Sequence, residues 1–420
     1  MSYLLFFFWL IFLSWALTKI RFVKNAGLSG KIIIGLFLCK VIAGLISGRI
    51  TQNLPSVDTW GYHIEALKEY HLLFSNPREY FTNLFQSGYD YGYNGVLVTY
   101  HSYWNDLKTN LIIKLVSVFD LFSGGNYYIN VVLYNFLLFF GSIGLFRVFS
   151  HVYNSKSNLL VCCTFLLPSL LYFGSTIHKD GIIFAAIGAV LFNIYYALHS
   201  TGFTFKKIFF ILCSLLLIFI IRNFVCIALL PALTAMIIAS KKKYNSILTF
   251  GIIYLIAAIL FFNVHHLVPA INLPQYIIQK QADFLALDKA NTTININTLH
   301  PSFTSFVANT PQALLHSLFR PYITDVSFST LLLPLSIELF CYQLLLLSFI
   351  FFRNKKMIFN HPVILFGVFF GLSQCLMIGY TVPVIGAIVR YRSIYLPFLL
   401  TPVIFNINWE NLFHLIRVKK

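Results

Sequence analysis

The chain is patterned as long unbroken apolar runs separated by short polar connections, rather than by the tight repeats of soluble strands and helices. A run of roughly 17–25 apolar residues can cross a bilayer as a helix. Such windows occur near residues 3–19, 31–48, 128–149, 158–176, 180–198, 207–221, 224–240, 247–263, 330–352, 361–380 and 391–407. The pattern predicts an all-α polytopic membrane protein with about eleven transmembrane helices in a single multispan domain, 1–420. Two longer, more polar segments interrupt it, at about 49–127 and 264–329. In the first, Tyr62, Ala66 and Tyr70 recur at every fourth position, which predicts an amphipathic helix over 59–74 lying along the membrane surface.

The run at 207–240 admits two readings. Arg222 and Asn223 in its middle can mark the bend of a hairpin whose first arm is only about 22 Å long at 1.5 Å per residue. That arm would leave Arg222 recessed below the outer surface. A single kinked helix would instead turn Lys241–Lys243 and every later loop against the charge rule, so the hairpin is preferred.

Composition narrows the class. The 420 residues are 58% hydrophobic and only 10% charged, with a mean hydropathy of +0.79. A soluble domain carries about 25% charged residues, so a soluble enzyme is excluded. The seven cysteines all fall in apolar runs and none forms a CxxC, so neither a disulfide framework nor a zinc site is signalled. Residues 1–19 lack a basic leader and a small-residue cleavage site, and are expected to be an uncleaved first span. Low Ala with abundant Phe, Asn, Ile and Lys suggests an AT-rich bacterial genome.

The net charge of +17 acquires a meaning from its location. Seventeen of the 30 Lys and Arg, but only one of the 13 Asp and Glu (Glu410), lie in or beside the connections after spans 1, 3, 5, 7, 9 and 11. Basic short loops stay in the cytoplasm. The expected topology therefore has the N-terminus outside, the C-terminus inside and both long segments external. No nucleic acid is expected as a partner; the lipid bilayer is.

Several polar groups collect on that external side. Asp58 opens the predicted surface helix, where it can cap the helix through a backbone N–H or act as a general base on an acceptor hydroxyl. His178, Lys179 and Asp180 crowd the short turn between spans 4 and 5. Lys179 and Asp180 can pair there, with Asp180 capping span 5, or the three can serve phosphate binding and proton transfer. Arg222 has no loop around it, costs about 2.5–3.5 kcal/mol at mid-membrane, and needs a partner or a wet cavity; its planar fork suits a phosphate. Arg390 and Arg392 flank the outer start of the last span, facing either an acid such as Glu338 or a lipid pyrophosphate held by two forks. Arg320 precedes span 9. Lys40 is expected to face the protein interior. The Gly/Tyr-rich stretch 87–95 reads as an interfacial aromatic belt, and Asn291-Thr292-Thr293 fits a glycosylation acceptor. No phosphate-cradling glycine loop, nucleotide cassette or metal triad occurs, so no metal or cofactor is expected and any activated substrate should arrive on a lipid.

Asp58, Tyr62 and Ala66, an acidic residue in the first external loop followed by a surface helix, resemble the GT-C class of polyprenol-dependent membrane glycosyltransferases. Pro168, Ser175, Lys179-Asp180, Arg222, Arg320-Pro321 and Arg390-Tyr391-Arg392 with Pro397 form a pattern similar to multispan proteins of bacterial surface-polysaccharide clusters, including O-antigen and capsule repeat-unit polymerases. Two departures stand: Asp58 is followed by Thr59 rather than a second acid, and no arginine-rich repeat occurs in either long segment. The resemblance implies a sugar on polyprenyl phosphate or pyrophosphate as donor, a glycan as acceptor, and a bacterial inner membrane with the active face external. Asp58, or secondarily Asp180, would be the base; Lys179, Arg222, Arg320, Arg390 and Arg392 would supply the phosphate site, and Tyr62, His178 and Glu338 would contact the sugar or acceptor. A lipid-linked oligosaccharide flippase and an acyltransferase built on His178 and Asp180 are the rivals from other classes.

Overall fold

The computed structural model describes residues 2–54, 57–88, 103–155, 157–241, 245–288, 290–328, 332–354 and 359–418. Most of the Gly/Tyr-rich stretch falls outside them. The described chain is helical, with isolated bridges only, between Thr293 and Val384 and between Arg353 and Ile407. Eight helices are long and apolar enough to cross a membrane, and two bent helix pairs bring the number to ten. The protein is a polytopic all-helical membrane protein, as its pattern predicts. The eleven apolar windows map onto these ten elements because 207–221 and 224–240 fall in one continuous stretch, Phe205–Ala239, in which two helices meet at a kink where Arg222 leaves the helical conformation.

By its internal contacts the chain forms two compact units, residues 1–223 and 224–420. The first begins with α1 (Ser2–Lys19) and α2 (Gly30–Thr51), followed by the non-spanning α3 (Asp58–Ser75) and α4 (Tyr103–Ser123). Then come α5 (Tyr127–Val152), α6 (Pro168–Ser175), α7 (Lys179–Tyr196) and the first arm of α8 (Phe205–Ala239). Its core is the α5–α7 pair, of which 83% and 67% of the spanning window is buried, against 17% for α1. Small residues allow this approach: a Cβ on Gly141 would lie 2.2 Å from the Ala185 Cα, and one on Gly188 2.4 Å from the Gly141 carbonyl oxygen. In lipid, where apolar surface alone does not drive helix association, such backbone proximity is what holds helices together.

The predicted surface helix is present as α3. Thr59, Tyr62, His63 and Ala66 form its buried face and Tyr70 is half-buried, and the helix as a whole packs on α4. An ion pair of Lys114 with Glu69 joins α4 to α3, and Lys114 also sits 3.7 Å above the Tyr80 ring. Lys40 is buried in α2, as expected for a lysine facing the protein interior. Before α6 the chain bends by 42°, where Leu167 turns extended ahead of Pro168, whose ring excludes the helical conformation before it.

The second unit contains α9 (Ser246–Leu267), α10 (Leu273–Leu285), α11 (Phe303–Phe319), α12 (Leu333–Phe351), α13 (Pro362–Thr381), α14 (Ile385–Arg392) and α15 (Leu396–Phe405). Here α13 is the buried centre, packed on α11 so closely that a Cβ on Gly379 would lie 2.0 Å from the Ala313 carbonyl oxygen. Gln281 ties α10 to this centre, donating to the Tyr380 carbonyl at 2.6 Å and accepting from Leu299 N at 2.9 Å. α14 and α15 meet at a 64° bend.

The α5–α7 contact yields a direct expectation. Gly141→Leu places a branched side chain against α7 backbone, which cannot yield as a flexible side chain can. The variant should lose at least about 1–3 kcal/mol, seen as a lower thermal midpoint of the detergent-purified protein. Gly35→Leu, where a Cβ meets nothing within 4 Å, should leave the midpoint near wild type.

Candidate functional site

Four elements of the first unit converge at one end. α7 begins there with His178 as its N-cap, followed by Lys179 and Asp180. The preceding turn is pinned to α5 and α2. The Tyr134 hydroxyl donates to the His178 carbonyl, Asn135 Nδ2 donates to the Ser175 carbonyl at 2.8 Å, and the Thr176 hydroxyl meets Ser47 Oγ at 2.7 Å. The start of α3 is fixed as firmly. Trp60 stacks on Tyr127 with centroids 4.0 Å apart and donates from Nε1 to the Gly48 carbonyl at 3.0 Å, while Thr59 Oγ1 and Tyr127 OH share a 2.8 Å hydrogen bond.

This scaffold aims two carboxylates at one imidazole. Asp58 Oδ2 lies 2.8 Å from His178 Nε2, and Asp180 Oδ2 lies 2.7 Å from His178 Nδ1. Arg222 then closes the chain, its guanidinium 2.5 Å from Asp180 Oδ1. Its backbone is extended (φ −150°, ψ 83°) in the middle of α8, and that break is where the charged side chain reaches Asp180. Asp180 and Arg222 are both buried, so the pair sits in low dielectric where neither charge could remain alone. The imidazole of His178 thus stands between two carboxylates, and the Arg222 guanidinium closes the far end of the row.

Exposure differs along this chain. The Asp58 side chain is 46% exposed, whereas those of His178 and Asp180 are 7% and 1% exposed. Asp58 is therefore the member that can meet a substrate, and it lines a cavity of about 530 Å³ together with Tyr62, Trp60, Gln52, Glu65 and Thr109. Lys179 Nζ sits 5.3 Å from the centre of the Tyr62 ring.

The readings made from sequence are resolved in part. Asp58 is the first residue of α3 rather than its N-cap, which is Val57, and its carboxylate reaches His178. The cap of α7 is His178 rather than Asp180, and Asp180 takes His178 and Arg222 as its ion-pair partners. Asp58, Tyr62, His178, Lys179, Asp180 and Arg222 do come together. The other arginines belong to the second unit, and backbone and acidic groups engage two of them. Arg392 is buried and donates to the Arg320 and Ser317 carbonyls at 2.7 and 3.3 Å, with Glu338 acting on it electrostatically; Glu338 itself accepts from the Tyr342 hydroxyl. Arg320 lies 3.4 Å from Asp325, and Arg390 packs against the Tyr391 ring.

One participant escaped the sequence reading. Lys108 on α4 stands close enough to Asp58, Lys179 and Arg222 to feel their charges. Burial, then repulsion from Lys179 and Arg222, push its ammonium down to about 7, with Asp58 and Asp106 pulling weakly the other way. Its signal in the sequence was the pair Trp104 and Lys108, one helical turn apart, inside a segment that carries no spanning run. Nearby, burial pushes His63 down to about 4, so the imidazole under Trp60 is neutral. Among the described residues no group of three or more His, Cys, Asp and Glu side chains is arranged to hold a metal ion.

A family profile described as "Predicted membrane protein (DUF2142)" matches residues 129–314, a stretch that takes in His178, Lys179, Asp180 and Arg222 but not Asp58 or Lys108. No curated protein and no solved structure matches the chain.

The buried pair invites a double-mutant test. Arg222→Met strands the Asp180 charge and should cost about 3–5 kcal/mol, read as a fall in thermal midpoint. Adding Asp180→Asn removes the stranded charge, and the double variant should recover a large part of that loss. A double variant no more stable than Arg222→Met would show that the pair is not energetically coupled.

Proposed function

We propose that the protein is an integral-membrane glycosyltransferase of cell-surface polysaccharide assembly, acting on a polyprenyl-(pyro)phosphate-linked sugar at the external face of a bacterial inner membrane. The observation that carries this reading is the half-exposed Asp58 carboxylate at the cavity, backed by the buried His178–Asp180–Arg222 chain. A base for glycosyl transfer must touch solvent and substrate, yet be held in one orientation. Asp58 meets both needs. His178 fixes its carboxylate through Nε2, and Asp180 fixes His178 through Nδ1.

In the proposed step an acceptor hydroxyl in the cavity attacks the anomeric carbon. Its proton passes to Asp58 Oδ, the new C–O bond forms, and the bond from the anomeric carbon to the phosphate oxygen breaks. The electron pair leaves with the carrier phosphate, whose charge Lys179 and Arg222 stabilise. Tyr62 lines the same cavity and would contact the sugar or acceptor. An acyl transfer in which His178 is the base fits less well, because that imidazole is buried and has a carboxylate on each nitrogen.

The test is mass spectrometry of the lipid-linked oligosaccharide pool in a deletion strain complemented with wild type or Asp58→Asn at equal membrane levels. Asp58→Asn should reduce turnover by about 10²–10⁴-fold and leave the accumulated intermediate in place. A complete unpolymerised repeat would identify a polymerase, and an intermediate one sugar short a single-sugar transferase. A pool unchanged by deletion would overturn glycosyl transfer and return the transporter and acyltransferase readings.

A further inference from the structure

We propose that the helix following the last bent pair, α16 (Trp409–Val418), lies in the headgroup layer and, together with Arg353, forms a docking surface for anionic phospholipid. The proposal concerns the second unit alone and is independent of the glycosyl-transfer reading.

The location follows from where two apolar helices stop. α12 ends at Phe351 and α15 at Phe405, and the residues just beyond them are tied to each other. Asn354 N donates to the Asn406 carbonyl and Asn408 N to the Phe352 carbonyl, each at 2.7 Å, with the bridge of Arg353 to Ile407 between them. The two helices therefore leave the hydrocarbon together, and α16 starts at that point. The Trp409 indole donates to the Ile404 carbonyl at 3.2 Å, which fastens the start of α16 to the end of α15. With 10 residues α16 is only about 15 Å long, half of what a crossing needs.

The residues of α16 suit that layer. Helical spacing sets Trp409, Leu412 and Phe413 on one side and Glu410, Asn411 and His414 on the other. The Phe413 ring is exposed and stacks on Trp409 with centroids 5.9 Å apart, and the last turn of α12 leaves Ile350 and Phe351 exposed as well. Aromatic rings at the end of a span, on a helix with one polar side, are the anchors of an interfacial helix.

Charge selects the lipid. In sequence, 353–356 and 408–420 carry Arg353, Lys355, Lys356, Arg417, Lys419 and Lys420 against the single acid Glu410. The bridge to Ile407 puts Arg353 at the head of α16, and Arg417 belongs to its last turn, so positive charge brackets the helix. Arg353 is exposed and makes no ion pair among the described residues. Each Lys or Arg held near an anionic surface strengthens attachment about fivefold, and a zwitterionic surface offers no such gain.

The experiment is hydrogen exchange, read by mass spectrometry, on the full-length protein in nanodiscs of phosphatidylcholine alone and of phosphatidylcholine mixed equally with phosphatidylglycerol. The amides of 409–418 should exchange about tenfold or more slowly in the anionic discs, while those of α5 are unchanged. The combined variant Arg353→Gln, Lys355→Gln, Lys356→Gln, Arg417→Gln, Lys419→Gln and Lys420→Gln should abolish the difference. Raising salt from about 0.1 to 1 M, which shortens the Debye length from about 10 to 3 Å, should do the same to wild type with no substitution. Phe413→Ser should speed exchange of α16 in the anionic discs by weakening its apolar anchor. Equal exchange of α16 in the two lipids would overturn the proposal, and so would a difference that survives either the Gln replacements or the salt.

Discussion

A carboxylate as deeply buried as Asp180 must be answered by a cation, and the architecture of the first unit is organised around that answer. Arg222 supplies it from the far side, at the cost of an unwound point in α8. His178 meets the same carboxylate from the near side and, through its second nitrogen, carries the row of contacts out to Asp58 at the cavity. The close α5–α7 packing matters for the same reason. Tyr134 and Asn135 on α5 hold the turn that presents His178 and Asp180, and they hold it well only where the two helices touch backbone to backbone.

The result is a graded environment. One end of the charge chain is dry and locked, the other is wet and available. A carboxylate at the wet end alone would rotate freely, and one at the dry end alone would be unreachable. The linked arrangement keeps Asp58 oriented while leaving nearly half of its side chain open to the cavity. The second unit uses its arginines otherwise. Arg392 satisfies carbonyls at the end of α11, which is a means of closing a helix C-terminus in a medium without water to do so.

Much of this was legible in the sequence, because lipid makes hydrophobicity a strong signal. Every apolar window lies in a spanning helix or a bent pair, and the amphipathic period of α3 located it to within a residue at each end. Arg222, Asp180 and His178 stood out because ionisable groups beside long apolar runs demand partners. The identity of those partners was not legible. Asp58 and Asp180 each offered a local capping role, and only the fold shows the longer-range contact winning. α4 was missed because it is apolar enough to pack yet too polar to span, and Lys108 was missed with it. The fate of 207–240 turned on a single extended residue, which composition does not encode.

The order of the paired groups along the chain has a consequence for how the protein is made. Asp58 is synthesised first, then His178 and Asp180, and Arg222 last. The guanidinium of Arg222 therefore emerges after the carboxylate it pairs with. Membrane insertion of the arm ending in Arg222 need not carry a naked guanidinium into lipid, since a waiting carboxylate can capture it. The linked groups are thus also an assembly order written from N- to C-terminus, in which the arginine completes the site.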